Sequence, residues 1–138
     1  MRFMMLVIPR GYESAEPGTL PDPEAIETMS HYNESLQKAG VLLAMDGLQP
    51  PSMGARVTYS GGKPTVKDGP FAEAKEVLGG FWMIQVKSLE EAIEWAKRAP
   101  MGDNEIIEIR QVMELEDFEP SEAIERERKL LKALSGDK

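Results

Sequence analysis

The residues best able to do chemistry gather in the segment 67–81, KDGPFAEAKEVLGGF. Asp68 opens a turn that Gly69 and Pro70 stiffen, because proline fixes its own φ and restricts the residue before it. A carboxylate on a stiff turn can serve as general acid or base. It can equally accept hydrogen bonds from nearby backbone amides. The two roles are compatible, and both stay open for Asp68. Downstream stand Glu73, Lys75 and Glu76. In an extended segment Phe71, Glu73 and Lys75 share one side, so an acid and a base face the same space. Lys75 would then anchor an anionic substrate group. In a short helix Glu73, Glu76 and Val77 share a face instead. The plain alternative is a surface ion pair of little energetic consequence.

Three further side chains are candidates for binding. Asp46 ends the apolar run VLLAM and, by strand alternation, joins Leu42 and Ala44. A buried carboxylate there would need a partner such as Arg56, or a ligand. Tyr32 sits on an apolar helical stripe, with packing as its first role and a hydroxyl able to reach a pocket edge. His31 is the only histidine. It falls opposite the stripe of Ile26, Met29 and Leu36, which makes it a solvent-facing residue. With one His and no Cys, neither disulfides, thiolate nucleophiles nor Cys-ligated zinc are available, and no metal site is expected. No glycine-rich phosphate loop, dinucleotide fingerprint or nucleophile elbow is present, so no cofactor is expected.

The scaffold around these residues follows from local signals. Phe3–Ile8 is apolar throughout, as in a strand covered on both faces. Residues 9–21 hold three prolines and two glycines, a loop of a length that is uncommon without a task. Asp22-Pro23-Glu24 starts a helix, whose stripe is Ala25, Ile26, Met29, Tyr32 and Leu36 and whose stop is Gly40. Val41–Asp46 is a second strand. Ala55–Ser60 and Lys63–Lys67 flank Gly61-Gly62, a hairpin signal. Gly80–Val86 is a strand with apolar residues on both faces. Ser88-Leu89-Glu90-Glu91 reads as a capping box opening a helix that carries Leu89, Ala92, Ile93, Ala96 and Ala99 on one face. Glu105–Val112 is the last strand, and Pro120-Ser121 opens an amphipathic helical tail.

This order is a split β-α-β arrangement with an inserted hairpin, an α+β, ferredoxin-like fold. Two helices cover only one face of such a sheet. The second face is also apolar, so a homodimer packed sheet on sheet is expected. The chain has 138 residues, 41% apolar and 29% charged, ordinary for a globular domain. Its net charge of −8 argues against nucleic acid and anionic membranes as partners. The apolar run near the start is too short to span a membrane, and a cytoplasmic protein is the default expectation.

The stretch DGPFAEAKE, with Gly79-Gly80-Phe81 and SLEEAIEWAKRAP after it, resembles the YCII-related, DGPF-type family. The start MRFMMLV, Ala39-Gly40 before a strand, Gly47-Leu48 with Pro50, and EIIEIRQV extend the resemblance over roughly residues 1–118. It divides the chain into a domain, 1–118, and a C-terminal tail, 119–138. The resemblance implies a dimeric α/β barrel and leaves activity open. In shorter members it implies a His–Asp pair beside a pocket, with the His on the first helix and the Asp at the position of Asp68. Here Met29 stands at that His position, and His31, two residues on, is rotated by about 200°. Two functions are expected on these grounds. One is a cofactor-free lyase or isomerase with Asp68 as acid/base and Lys75 or Arg56 holding a small anionic ligand. The other is a non-catalytic dimer that binds a small ligand or regulates.

Overall fold

A computed structural model describes residues 1–71 and 75–136. Six strands and three helices are described: β1 (Arg2–Ile8), α1 (Pro23–Lys38), β2 (Leu42–Gly47), β3 (Ala55–Ser60), β4 (Lys63–Asp68), β5 (Gly80–Gln85), α2 (Leu89–Lys97), β6 (Ile106–Gln111) and α3 (Glu122–Leu134). The main sheet has the order β2-β5-β1-β6, with every neighbouring pair antiparallel. This is an α+β chain with the strand order that a split β-α-β unit requires. β3 and β4 form a separate two-stranded sheet. Gly61 and Gly62 turn it at φ 58° and 78°, as a tight hairpin demands. Among the described residues no barrel closes within the chain.

The helices start where their caps dictate. The Ala25 amide donates to Asp22 Oδ1 at 2.8 Å, and Gly40, at φ 74°, follows the end of α1. At α2 the Glu91 amide donates to Ser88 Oγ at 3.2 Å. The reciprocal bond departs from a strict capping box, since Glu91 Oε2 accepts from Lys87 N–H rather than from Ser88. Ser121 caps α3 by accepting from Ile124 N–H.

One face of the sheet meets α1 and α2. Phe3, Met5, Trp82 and Ile84 from the sheet pack with Tyr32, Leu36 and Ala92 from the helices, all nearly inaccessible. Most of each expected helix face packs on the core: Met29, Tyr32 and Leu36 of α1, and Ala92 and Ala96 of α2 with Ala99 just after it, joined by Trp95. Three members of the expected stripes stay exposed, Ile26 at 53%, Leu89 at 45% and Ile93 at 37%. In α2 the only fully buried residue is Ala92, so this helix lies close to the sheet and its bulky neighbours are levered outward.

On the other face, cross-strand partners point the same way, so the register groups Met4 with Met83, Leu6 with Phe81 and Ile8 with Ile106. Met4, Leu6, Phe81 and Met83 are only half-buried, and Ile106 is 43% exposed. Arg2 lies on this face as well; its guanidinium donates to both carboxylate oxygens of Glu114 at 2.7 and 2.9 Å. That pair ties β1 to the turn ahead of α3. α3 leaves Leu130, Leu131 and Leu134 exposed.

Candidate functional site

One cleft among the described residues has a volume of about 1090 Å³. It opens where β1 and β2 end and β5 begins, beneath the first turns of α1. Its walls come from the 9–21 loop (Leu20), α1 (Met29, Asn33), the end of β2 and the residues after it (Met45, Leu48) and β5 (Trp82). Mostly apolar walls with a few polar groups are the usual makeup of a small-molecule site. The loop of residues 9–21 supplies Pro9, Tyr12, Thr19, Leu20 and Pro21 to these walls. Its fold is pinned by Tyr12, whose hydroxyl donates to the Leu48 carbonyl at 2.6 Å. Burial raises the Tyr12 phenol above its ordinary value.

Gly79 and Gly80 make the floor possible. A Cβ on Gly79 would come within 2.6 Å of the Pro9 ring, and one on Gly80 within 2.8 Å of the Asp46 carbonyl oxygen. The two glycines let β5 approach the ends of β1 and β2 closely, with Gly79 N–H donating to Val7 O and Gly79 O accepting from Leu48 N–H. The back wall is similarly fixed. The Trp82 indole N–H donates to Asn33 Oδ1 at 2.7 Å. The rings of Trp82 and Tyr32 meet edge to face at 5.2 Å, an arrangement that aromatic pairs favour.

The predicted site residues separate into groups. Asp46 lines the cleft. A bulge between Leu42 and Ala44 shifts the expected alternation. Leu42 pairs with Ile84 on the helix side, whereas Ala44 pairs with Met83 and Asp46 with Phe81. Asp46 is exposed, and no ion pair joins it to Arg56 among the described residues. Tyr32 lies behind the wall: it is 6% exposed and its hydroxyl donates to the Trp95 carbonyl at 2.7 Å. Burial pushes its phenol up to about 12, with Arg98 opposing slightly. His31 points to solvent and pairs with Glu27 at 3.1 Å.

Asp68 and Arg56 are outside the cleft, on the hairpin. Asp68 pairs in register with Ala55 at the hairpin base and is exposed, with no hydrogen-bond partner for its carboxylate among the described residues. The turn after it is built by Gly69, whose N–H donates to Gly54 O at 2.9 Å. A Cβ on Gly69 would overlap the Pro51 carbonyl oxygen, so the close approach requires glycine. Arg56 stacks over the Phe71 ring at 4.2 Å. Lys75 is exposed in a bend, and Glu73 lies outside the described residues. The conspicuous motif therefore contributes its glycine pair to the cleft and places its described charged residues elsewhere. Sequence reading missed Asn33, Leu20 and Met45 as wall residues. Nothing local marks them, because the cleft is assembled from segments far apart in the chain.

The fold is that of an α+β domain with an antiparallel sheet and a mostly apolar cleft at one end, an architecture that does not by itself fix a chemistry. The model of the YCII-related domain matches residues 1–116, and the chain belongs to that family. It is 37% identical over 76 residues to an uncharacterized protein of Rhizobium meliloti (strain 1021). That match covers 55% of this chain and 61% of the relative, so the chain spans under two thirds of the relative's length.

Proposed function

We propose that this chain is a small-molecule-binding protein whose ligand occupies the cleft between α1 and the β2–β5–β1 end of the sheet. The observation that carries the reading is the composition of the wall. Met29 reaches the cleft from the helix position where the family resemblance implies a histidine. A thioether gives apolar, adaptable contact and transfers no proton. The reading of a homodimer belongs here too. Met4, Leu6, Phe81, Met83 and Ile106 form an apolar patch on the uncovered face, and a second copy packed sheet on sheet would bury it as a dimeric α/β barrel. Residues 1–118 would form that unit and 119–138 an appended tail, with the cytoplasm as its setting. Among the described residues no helix is long and apolar enough to cross a membrane.

The second reading is an acid/base lyase or isomerase. Asp46 favours it, being an acidic residue that lines the cleft. Asp68 would take part only if a second copy or a ligand brought it to the site, and Lys75 and Arg56 would have to be recruited likewise. A thermal-shift screen of metabolites separates the readings. Ligands that stabilise the wild type should lose much of their effect in Met29→Trp, whose bulkier side chain intrudes on the cleft wall. Turnover of a hit that vanishes in Asp46→Asn while binding persists would establish the enzyme. Hits unaffected by Met29→Trp would show the cleft to be the wrong place.

A further inference from the structure

Building on the reading of the cleft as a ligand site, we propose that its ligand is an organic ammonium ion carried on an apolar body. Among the described residues, the charged ones that line the cleft are Asp22, Glu24, Asp46 and Glu105, with no Lys, Arg or His. None of these four carboxylates is in an ion pair with a described residue. Carboxylates around one cleft with no counter-charge raise the local concentration of cations and repel anions. The net charge of −8 adds a field of the same sign.

The feature that could welcome an anion is already occupied. The first turn of α1 lines the cleft, but its Ala25 amide is held by Asp22 Oδ1 and Glu24 stands in the same turn. The positive end of the helix is thus neutralised by the chain itself. At the opposite rim Glu105 Oε1 accepts from Gly102 N–H at 2.8 Å, which orients that carboxylate and leaves its second oxygen without a described partner.

The same geometry argues against a metal ion. Among the described residues no three His, Asp or Glu side chains stand close enough together to hold one. Separated acidic residues suit a monovalent ammonium whose charge stays near solvent. The apolar wall of Leu20, Met29, Met45 and Leu48 suits a hydrocarbon or aromatic body. The anionic ligand expected from Lys75 and Arg56 has no counterpart here, since neither residue lines the cleft.

Three probes of similar shape test the assignment: phenylbutylamine, phenylbutanol and phenylbutyrate, titrated calorimetrically into the full chain at neutral pH and low salt. The amine should bind roughly tenfold more tightly than the alcohol, and the acid roughly tenfold more weakly, as expected for solvent-screened carboxylates at the rim. Raising the salt should narrow the spread. In Glu24→Gln/Asp46→Asn the three affinities should converge. If the alcohol binds and is weakened in Met29→Trp, but the amine has no advantage over it or the acid binds best, the charge assignment is overturned while the cleft stands. If none of the three binds, both readings fail.

Discussion

Tyr32→Phe isolates one hydroxyl that links α1 to α2 behind the cleft wall. The Tyr32 hydroxyl donates to the Trp95 carbonyl at 2.7 Å, and removing it costs one buried hydrogen bond. The Trp95 carbonyl keeps a second donor, Arg98 N–H at 3.1 Å, so it is not orphaned. The loss should therefore lie near the net worth of a hydrogen bond, about 1 kcal/mol, rather than the larger penalty of an unpaired group. For a domain of this size that lowers Tm by about 3–5 °C at neutral pH. The alkaline limb gives an independent readout. Folding raises the phenol from 10.0 to about 12, so the folded state holds a proton that the unfolded chain releases above pH 10. The associated stability is complete below pH 10 and is lost as pH rises toward 12, amounting to roughly 2–3 kcal/mol in all. The variant, lacking the phenol, has no such contribution to lose. Wild type should start more stable, lose ground above pH 10, and fall below the variant near about pH 10.5–11. Chemical denaturation across this range, followed by circular dichroism, measures both curves. Parallel curves with no crossing would refute the role of Tyr32 as a buried, neutral donor.

Other outcomes follow from the same structure. Gly80→Ala places a Cβ 2.8 Å from the Asp46 carbonyl oxygen and should destabilise by about 1–3 kcal/mol, as overpacking does; an unchanged melting curve would contradict the close approach of β2 and β5. Glu114→Gln should remove an acid-sensitive contribution. The Arg2 guanidinium holds the Glu114 carboxyl below its ordinary value of 4.5, so the wild-type contribution is present above that value and lost as pH falls through the lowered one. The difference in Tm between wild type and variant should shrink on acidification, and a constant difference would count against the pair. Leu6→Glu, on the uncovered sheet face, should convert the proposed dimer to monomer in multi-angle light scattering, whereas an unchanged mass would place the interface elsewhere.

The elements were legible because their signals are local. Asp22-Pro23 and Ser88 mark helix starts, Gly61-Gly62 marks the hairpin, and the unbroken apolar runs at Phe3–Ile8 and Phe81–Ile84 mark central strands. The solvent-facing position of His31 also followed from helical spacing. What escaped were departures from ideal periodicity. The bulge in β2 moved Leu42 away from Ala44 and Asp46, and Leu89 and Ile93 stay exposed although Ala92, Ala96 and Ala99 of the same expected face pack on the core. The site was harder still. Asp68 drew attention through its motif, whose glycines answer to close contacts: Gly69 to Pro51, and Gly79-Gly80 to Pro9 and Asp46. The cleft is a product of tertiary assembly; Asp46, expected as a binding residue, lines it, and so does the long 9–21 loop.

Whether the cleft beside Met29 holds a small organic molecule is decided by titrating isotope-labelled protein with phenylbutanol and following the amide and indole chemical shifts. Saturable shifts are expected, confined to Met29, Asn33, Met45 and the Trp82 indole, and much weakened in Met29→Trp. Shifts that never saturate, or that gather on the β3–β4 hairpin around Asp68, would contradict a ligand in this cleft.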